Sequence, residues 1–183
     1  MIRLKKILLE ISDSDFSRMR EKIQNKEFRF VGQGDNGRVY EIDGEDKVFK
    51  LTTDAQEYEV AEVIVGRESE FSTFIAVHYV GKLGSEQMFI MSKASELSGN
   101  DKNAIDLFMK GFKTYAYEQG GEVSIFDYLD ADGARDADTE LVNFLRALQT
   151  DITKTGIEDL ELDLDFKTDN VMRWQGRLVL VDW

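Results

Sequence analysis

The chain has 183 residues, with 36 acidic against 23 basic side chains and a formal charge of −13, so it lacks the basic surface that holds a phosphate backbone, which argues against nucleic acid and anionic membrane as main partners. It contains no cysteine and a single histidine, His78, which excludes disulfides, thiolate or multi-histidine metal sites and the ordinary Ser-His-Asp triad. Its length and its 42% hydrophobic content suit one folded core, and with apolar runs too short to span a bilayer and no cleavage site after MIRLKKILLE, the expectation is a soluble cytoplasmic protein.

Ile2, Leu4, Ile7, Leu8 and Ile11 fall at mostly helical spacing, and Phe16, Met19 and Ile23 repeat the pattern after Asp13 and Ser14, so the first 26 residues predict two short helices. From Phe28 the runs FRFVGQG, RVYEID and KVFKLT are rich in β-branched and aromatic residues and are separated by glycine-bearing turns, which predicts a three-stranded antiparallel meander. Thr53 and Asp54 offer a helix cap with Glu57 in capping-box position, and the helix should run to Gly66. TFIAVHYVG and QMFIMSK then read as two further strands, completing five strands with one inserted helix. His78 lies on the first of these and reads as a structural histidine. Beyond Lys93 the pattern turns helical. Ile105, Leu107, Phe108, Phe112 and Tyr115 mark one amphipathic segment, and Leu141, Phe144, Leu145 and Leu148 mark another. Asp130–Asp138 between them reads as a solvated acidic loop, and the chain closes with the strands VMRW and RLVLVDW around a Gln175-Gly176 turn.

Gly32, Gly34 and Gly37 form G-x-G-x-x-G, with Val39 two residues beyond the third glycine. In a chain of this composition such a spacing arises by chance about 0.08 times, so context decides its meaning. A dinucleotide-binding turn would open a helix at the third glycine, whereas RVYEID continues as a strand. A glycine hairpin instead lets backbone amides approach phosphate oxygens without steric block.

Thirteen residues after Gly37 stands Lys50, in the run Val48-Phe49-Lys50, and a helix follows with Glu57, Glu59 and Glu62. Far downstream come Asp163-Leu164-Asp165-Phe166-Lys167-Thr168-Asp169-Asn170 and, past a hairpin, Val181-Asp182-Trp183. With the glycine hairpin, this series resembles the protein-kinase family: its Gly-rich loop, V-A-I-K strand, glutamate helix, H-R-D-L-K-x-x-N catalytic loop and D-F-G. The resemblance spans Phe28 to Trp183 and is nearest to compact, truncated kinases of the kind some bacteriophages encode.

The resemblance implies an α+β protein-kinase-like domain over residues 1–183, with N-terminal helices at 1–27, a five-stranded antiparallel N-lobe sheet with one helix at 28–94 and a reduced, mainly helical C-lobe at 95–183. It implies ATP and Mg²⁺ as cofactors and a protein Ser/Thr hydroxyl as acceptor. Gly32, Gly34, Gly37 and Val39 would cover the nucleotide; Lys50, held by Glu62 or by Glu59 in its place, would bridge the phosphates; and Ser92, Lys93 and Ala94, next to Met91, would meet the adenine edge. Asp165 would accept the hydroxyl proton, Lys167 would neutralise the γ-phosphate, and Asn170 and Asp182 would hold the metal. The H-R pair is Asp163-Leu164 here, so regulation by activation-loop phosphorylation is not expected. D-F-G is Asp182-Trp183, where the sequence stops, which suits a minimal kinase or a polypeptide with a C-terminal extension missing. A nucleotide-binding scaffold without transfer activity and a small-molecule kinase are the alternative readings.

Overall fold

The computed structural model describes residues 13–34, 36–121, 123–133, 135, 137–157 and 166–182. The helix expected over residues 2–11, the segment Asp163–Asp165 and Trp183 lie outside the described residues. The chain divides into two compact units: one runs through Ser69 and includes Ile75–Lys93, the other joins Glu70–Phe74 to the chain from Ala94 onward.

In the first unit β1 (Phe28–Gln33), β2 (Gly37–Ile42), β3 (Lys47–Thr52), β4 (Val77–Leu83) and β5 (Glu86–Ser92) form an antiparallel sheet in the order β1-β2-β3-β5-β4. Alternation sends successive side chains of β3 to opposite faces. Phe49 and Leu51 join Ile42, Met88 and Ile90 in a core with Met19 and Ile23 of α1 (Asp13–Gln24). Tyr40 stacks on Phe49 with centroids 4.9 Å apart, and Phe28 stands edge-on to both. Val48, Lys50 and Thr52 take the other face, where α2 (Ala55–Ile64) buries Glu57, Val60, Ala61 and Ile64. Only Thr53 and Asp54 separate α2 from β3, and one Asp54 oxygen accepts the Gln56 and Glu57 amides at 2.9 and 3.1 Å, a cap worth about 1 kcal/mol.

The strand expected from Thr73 begins only at Val77. Thr73 and Phe74 belong to the second unit, where the Leu180 amide donates to the Thr73 carbonyl at 2.7 Å and Phe74 bridges Leu180 in parallel.

That unit comprises α3 (Gly99–Gln119), α4 (Ile125–Tyr128), α5 (Thr139–Thr155) and the hairpin of β6 (Val171–Trp174) with β7 (Arg177–Leu180). Leu141, Phe144, Leu145, Leu148 and Ile152 are the buried apolar stripe of α5. Ile105 and Phe108 are buried on α3, but Leu107 is exposed, because it lies about 200° around the helix from Ile105. Gly111 lets Tyr128 approach α3, since a Cβ there would lie 2.1 Å from the Tyr128 hydroxyl. The stretch expected as a solvated acidic loop includes helical structure: Leu129–Gly133 continues α4 as a π-helical turn anchored by buried Leu129, and Asp138 caps α5. Gln175 and Gly176 both have positive φ, as a two-residue hairpin turn requires. Among the described residues no helix is long and apolar enough to cross a membrane.

Candidate functional site

The glycine hairpin forms at β1–β2. A bulge interrupts the register between Phe30 and Gly32, and the Gly34 amide donates to the Gly37 carbonyl at 3.0 Å. A Cβ on Gly32 or Gly34 would meet nothing within 4 Å, and neither has a left-handed backbone, so neither packing nor conformation demands glycine there. Gly37 differs: a Cβ would lie 2.7 Å from Lys50 Cε and 2.8 Å from the Leu51 carbonyl oxygen. This glycine makes room for the stem of Lys50, the register partner of Val39 across β2–β3. Arg38, beside it, is engaged by Glu86. The turn is also tied at Asn36, whose carbonyl accepts from the Thr53 amide at 2.8 Å and the Thr53 hydroxyl at 3.1 Å. Its side-chain amide donates to Asp54 at 3.1 Å.

Lys50 and Glu57 form an ion pair with side chains only 6% and 2% exposed. This corrects the expectation that Glu62 holds Lys50. Glu62 and its alternative Glu59 are both exposed, because they lie about 140° and 200° around the helix from Glu57. The inward stripe is Glu57, Val60, Ala61 and Ile64. Glu57 also stands where the returning half of a capping box is expected. Instead the Asp54 amide donates to the Thr52 hydroxyl at 3.0 Å, and the Glu57 carboxylate turns to Lys50.

At the end of β5, the Ser92 amide donates to the Ala76 carbonyl at 2.9 Å and the Lys93 amide to the Asp46 carbonyl at 3.3 Å. The Lys93 ammonium donates to Glu41 at 2.7 Å, and Glu41 also takes Arg29. Ser92 and Lys93 therefore have their amide donors already engaged. Ala94 belongs to the second unit. His78 Nε2 lies 2.8 Å from the Ser92 hydroxyl oxygen, and burial, reinforced by the Lys47 charge, pushes its pKa down to about 4. This is a structural histidine, as expected.

In the second unit Phe166 is buried against Phe144, with centroids 6.2 Å apart. The Asn170 amide donates to the Lys167 carbonyl at 3.0 Å, in a turn that leaves Lys167 exposed and Asn170 buried. The β6–β7 hairpin then pairs Val171 with Leu180, and the Val181 amide donates to the Asn170 carbonyl at 2.8 Å. Asn170 and Asp182 are thereby brought to the same open end of one hairpin. Their amide and carboxylate oxygens are donors that fit a hard cation such as Mg²⁺. Asp165 is outside the described residues, and among those described no group of three His, Cys, Asp or Glu could hold a metal.

Two supports of this hairpin are not visible in the sequence. Asp151, 2% exposed on α5, accepts the Thr73 amide and hydroxyl at 3.0 and 2.9 Å on one oxygen and pairs with Lys154 at 2.7 Å on the other. Thr73 in turn accepts from β7 at Leu180. Arg173 on β6 binds Asp101 at 2.9 and 2.7 Å and Glu140 at 2.8 and 2.9 Å, tying the first turns of α3 and α5 to the hairpin. Its guanidinium holds the Asp101 carboxyl well below the usual carboxylate range.

No protein-family model matches the chain, and no curated protein matches it significantly. Among solved structures it is similar to the kinase PK-1 of the Cydia pomonella granulovirus, at 15% identity and a TM-score of 0.46, over 93% of this chain and 58% of that one. It is also similar to a thermostable mutant of the aminoglycoside phosphotransferase APH(4)-Ia. For the apo form the identity is 14% and the TM-score 0.40, over 85% of this chain and 66% of that one. For a ternary complex with ADP and hygromycin B the values are 14% and 0.40, over 91% and 70%. The chain thus spans less than two thirds of the first two of these structures. The α+β class with a five-stranded antiparallel sheet is as the sequence predicted.

Proposed function

We propose that the protein is an ATP·Mg²⁺-dependent phosphotransferase that moves the γ-phosphoryl group to a hydroxyl, with a protein Ser or Thr as acceptor. The observation that carries this reading is the buried Lys50–Glu57 pair under Gly37. A buried ion pair is a poor source of stability, because desolvation offsets its attraction and apolar residues of similar volume do as well or better. Here a glycine is spent so that the lysine can pass beside a hairpin where Gly32 and Gly34 have no packing reason to be glycine. A fixed ammonium beside a hairpin backbone that carries no side chains at Gly32 and Gly34 is suited to a polyphosphate.

In this reading Gly32 and Gly34 admit the phosphates, Lys50 held by Glu57 neutralises them, and Val39 packs beside the nucleotide base. The carbonyls of Ser92 and Lys93 and the amide of Ala94 meet the adenine edge. Asn170 and Asp182 would hold Mg²⁺, which when bound would supply positive charge to offset that of the phosphates. Asp165 accepts the proton of the acceptor hydroxyl as its oxygen bonds phosphorus, the bond to the bridging oxygen breaks, ADP leaves, and Lys167 offsets the charge on the transferred group. Catalysis is then mainly positioning and charge neutralisation.

The test is the unfolding midpoint with and without ATP and Mg²⁺. ATP at 100 times its dissociation constant should stabilise by about 2.7 kcal/mol, the rise should require Mg²⁺, and Lys50→Ala and Asp182→Ala should lose it. An unchanged midpoint at millimolar ATP and Mg²⁺ would sink the reading. ATP labelled at its γ-phosphate is then offered together with generic proteins and, separately, with sugars and aminoglycosides. Transfer only to the latter identifies a small-molecule kinase, and stabilisation with no transfer identifies a nucleotide-binding scaffold.

A further inference from the structure

Asp54 divides its carboxylate between two elements. Oδ1 accepts the Gln56 and Glu57 amides and so caps the helix that presents Glu57 to Lys50. Oδ2 accepts the side-chain amide of Asn36 in the glycine turn at 3.1 Å. The same turn is held from the other side, since the Asn36 carbonyl takes the Thr53 amide and hydroxyl. The turn and the helix cap are consequently joined by hydrogen bonds in both directions, with Gly37 resting on the Lys50 stem between them.

We infer, resting on the ATP reading of the glycine hairpin above, that Asp54 and Asn36 are positioning residues: a latch that sets the phosphate-facing turn at a fixed height over the Lys50–Glu57 pair before nucleotide arrives. The latch lowers the ordering cost that a glycine-rich turn otherwise pays on binding. Neither residue touches the nucleotide in this scheme.

The chemistry of the two side chains allows a test by exchange of polarity. In Asp54→Asn the new side chain keeps one oxygen, enough to cap α2 as well as the carboxylate does, but its NH₂ can meet Asn36 only if the Asn36 amide turns its oxygen over, which replaces a charge-assisted bond with a weaker neutral one. Asp54→Asn thus loosens the latch and spares the cap. Asn36→Asp sets carboxylate against carboxylate and opens it too. Combining the two restores one donor and one acceptor with the direction reversed and the total charge unchanged. Without nucleotide, amide hydrogen exchange at Thr53 and Gly34, whose N–H groups bond within the latch and the turn, should quicken about 3- to 10-fold in each single variant, as expected for a lost hydrogen bond to a charged group. It should return to within about 2-fold of the parent in the double variant, while exchange along α2 stays unchanged throughout.

The ATP arm has a sign that electrostatics alone would reverse. Removing a negative charge near a phosphate site should tighten ATP binding, whereas a loosened latch weakens it, so Asp54→Asn should bind ATP about 3- to 10-fold more weakly and the double variant should recover. Parent-like exchange in Asp54→Asn, tighter ATP binding in it, or no recovery in the double variant each overturns the latch. A parent protein that fails to bind ATP overturns the functional reading and this inference with it. That outcome is recognisable because Thr53 and Gly34 exchange would still follow the latch chemistry.

Discussion

Glu57 in the first unit and Asp151 in the second are carboxylates almost wholly removed from water, at 1% and 2% exposure, and they differ in what they hold. Asp151 accepts a backbone amide and a hydroxyl from one residue, Thr73, and so fixes the segment that runs beside β7. Glu57 holds the tip of a flexible side chain, Lys50, and fixes no backbone through that bond. The first arrangement is a fastening of the fold. The second sets a charge in place, and it is there that a functional reading begins.

The difference can be broken from the Asp151 side first. Asp151→Ala leaves the buried Thr73 amide and hydroxyl without their acceptor and should cost about 3–5 kcal/mol in urea unfolding. Asp151→Asn keeps an acceptor oxygen and should lose markedly less. Replacing both partners by apolar residues, Asp151→Leu with Thr73→Val, should not recover the loss, because the backbone amide of residue 73 stays unpaired whatever its side chain. Recovery in that double variant would show that the bond to the backbone contributes little.

The Lys50–Glu57 pair should behave in the opposite way. Lys50→Met alone leaves a carboxylate buried without its cation and should cost about 3 kcal/mol, whereas Lys50→Met with Glu57→Leu should return to within about 1 kcal/mol of the parent or exceed it. The stabilisation by ATP and Mg²⁺ should be absent in both. A double variant as stable as the parent that still responds to ATP would separate the pair from nucleotide binding.

Much of this is legible in the chain. The meander, its hairpins, the β5 strand and the stripe of α5 follow from side-chain periods of two and 3.6. The glycine hairpin, Lys50, and the hairpin joining Asn170 to Asp182 follow from short-range spacing. Glu62 ranks first in the sequence because Glu62-Val63-Ile64-Val65 resembles the E-I-x-I/L pattern of the protein-kinase glutamate helix, while Glu57 stands in capping-box position, three residues after a helix cap. The signal that selects it is its position one turn before Val60 and Ala61 on the buried stripe. Asp151 carries a similar signal, since it lies about two helical turns beyond Phe144 and shares the buried face of Leu148 and Ile152. Its partner lies 78 residues away, and no local pattern points across that distance. The Asn36–Asp54 bond joins two elements 18 residues apart through polar side chains that read equally well as turn and cap.

The smallest effect concerns His78, which lies in the first unit but serves a third purpose. It is a neutral partner for Ser92, with neither a backbone segment nor a charge to hold. Burial pushes its pKa down to about 4 from 6.5. The unfolded chain therefore binds the proton first as the pH falls, so the contribution of neutral His78 is present in full above about pH 6.5 and is lost toward pH 4. Its partial exposure moderates the effect, and unfolding free energy should fall by about 1 kcal/mol between pH 7 and pH 5.5. The Glu45 carboxyl, drawn down to about 2 by hydrogen bonds from Arg18 and then Lys22, loses its contribution only below about pH 4.5, outside that window. With one histidine in the chain, a single imidazole resonance reports the titration directly. His78→Gln should flatten the stability profile over this range. A resonance that titrates near 6.5, or a slope that survives in His78→Gln, would place the pH dependence elsewhere in the molecule.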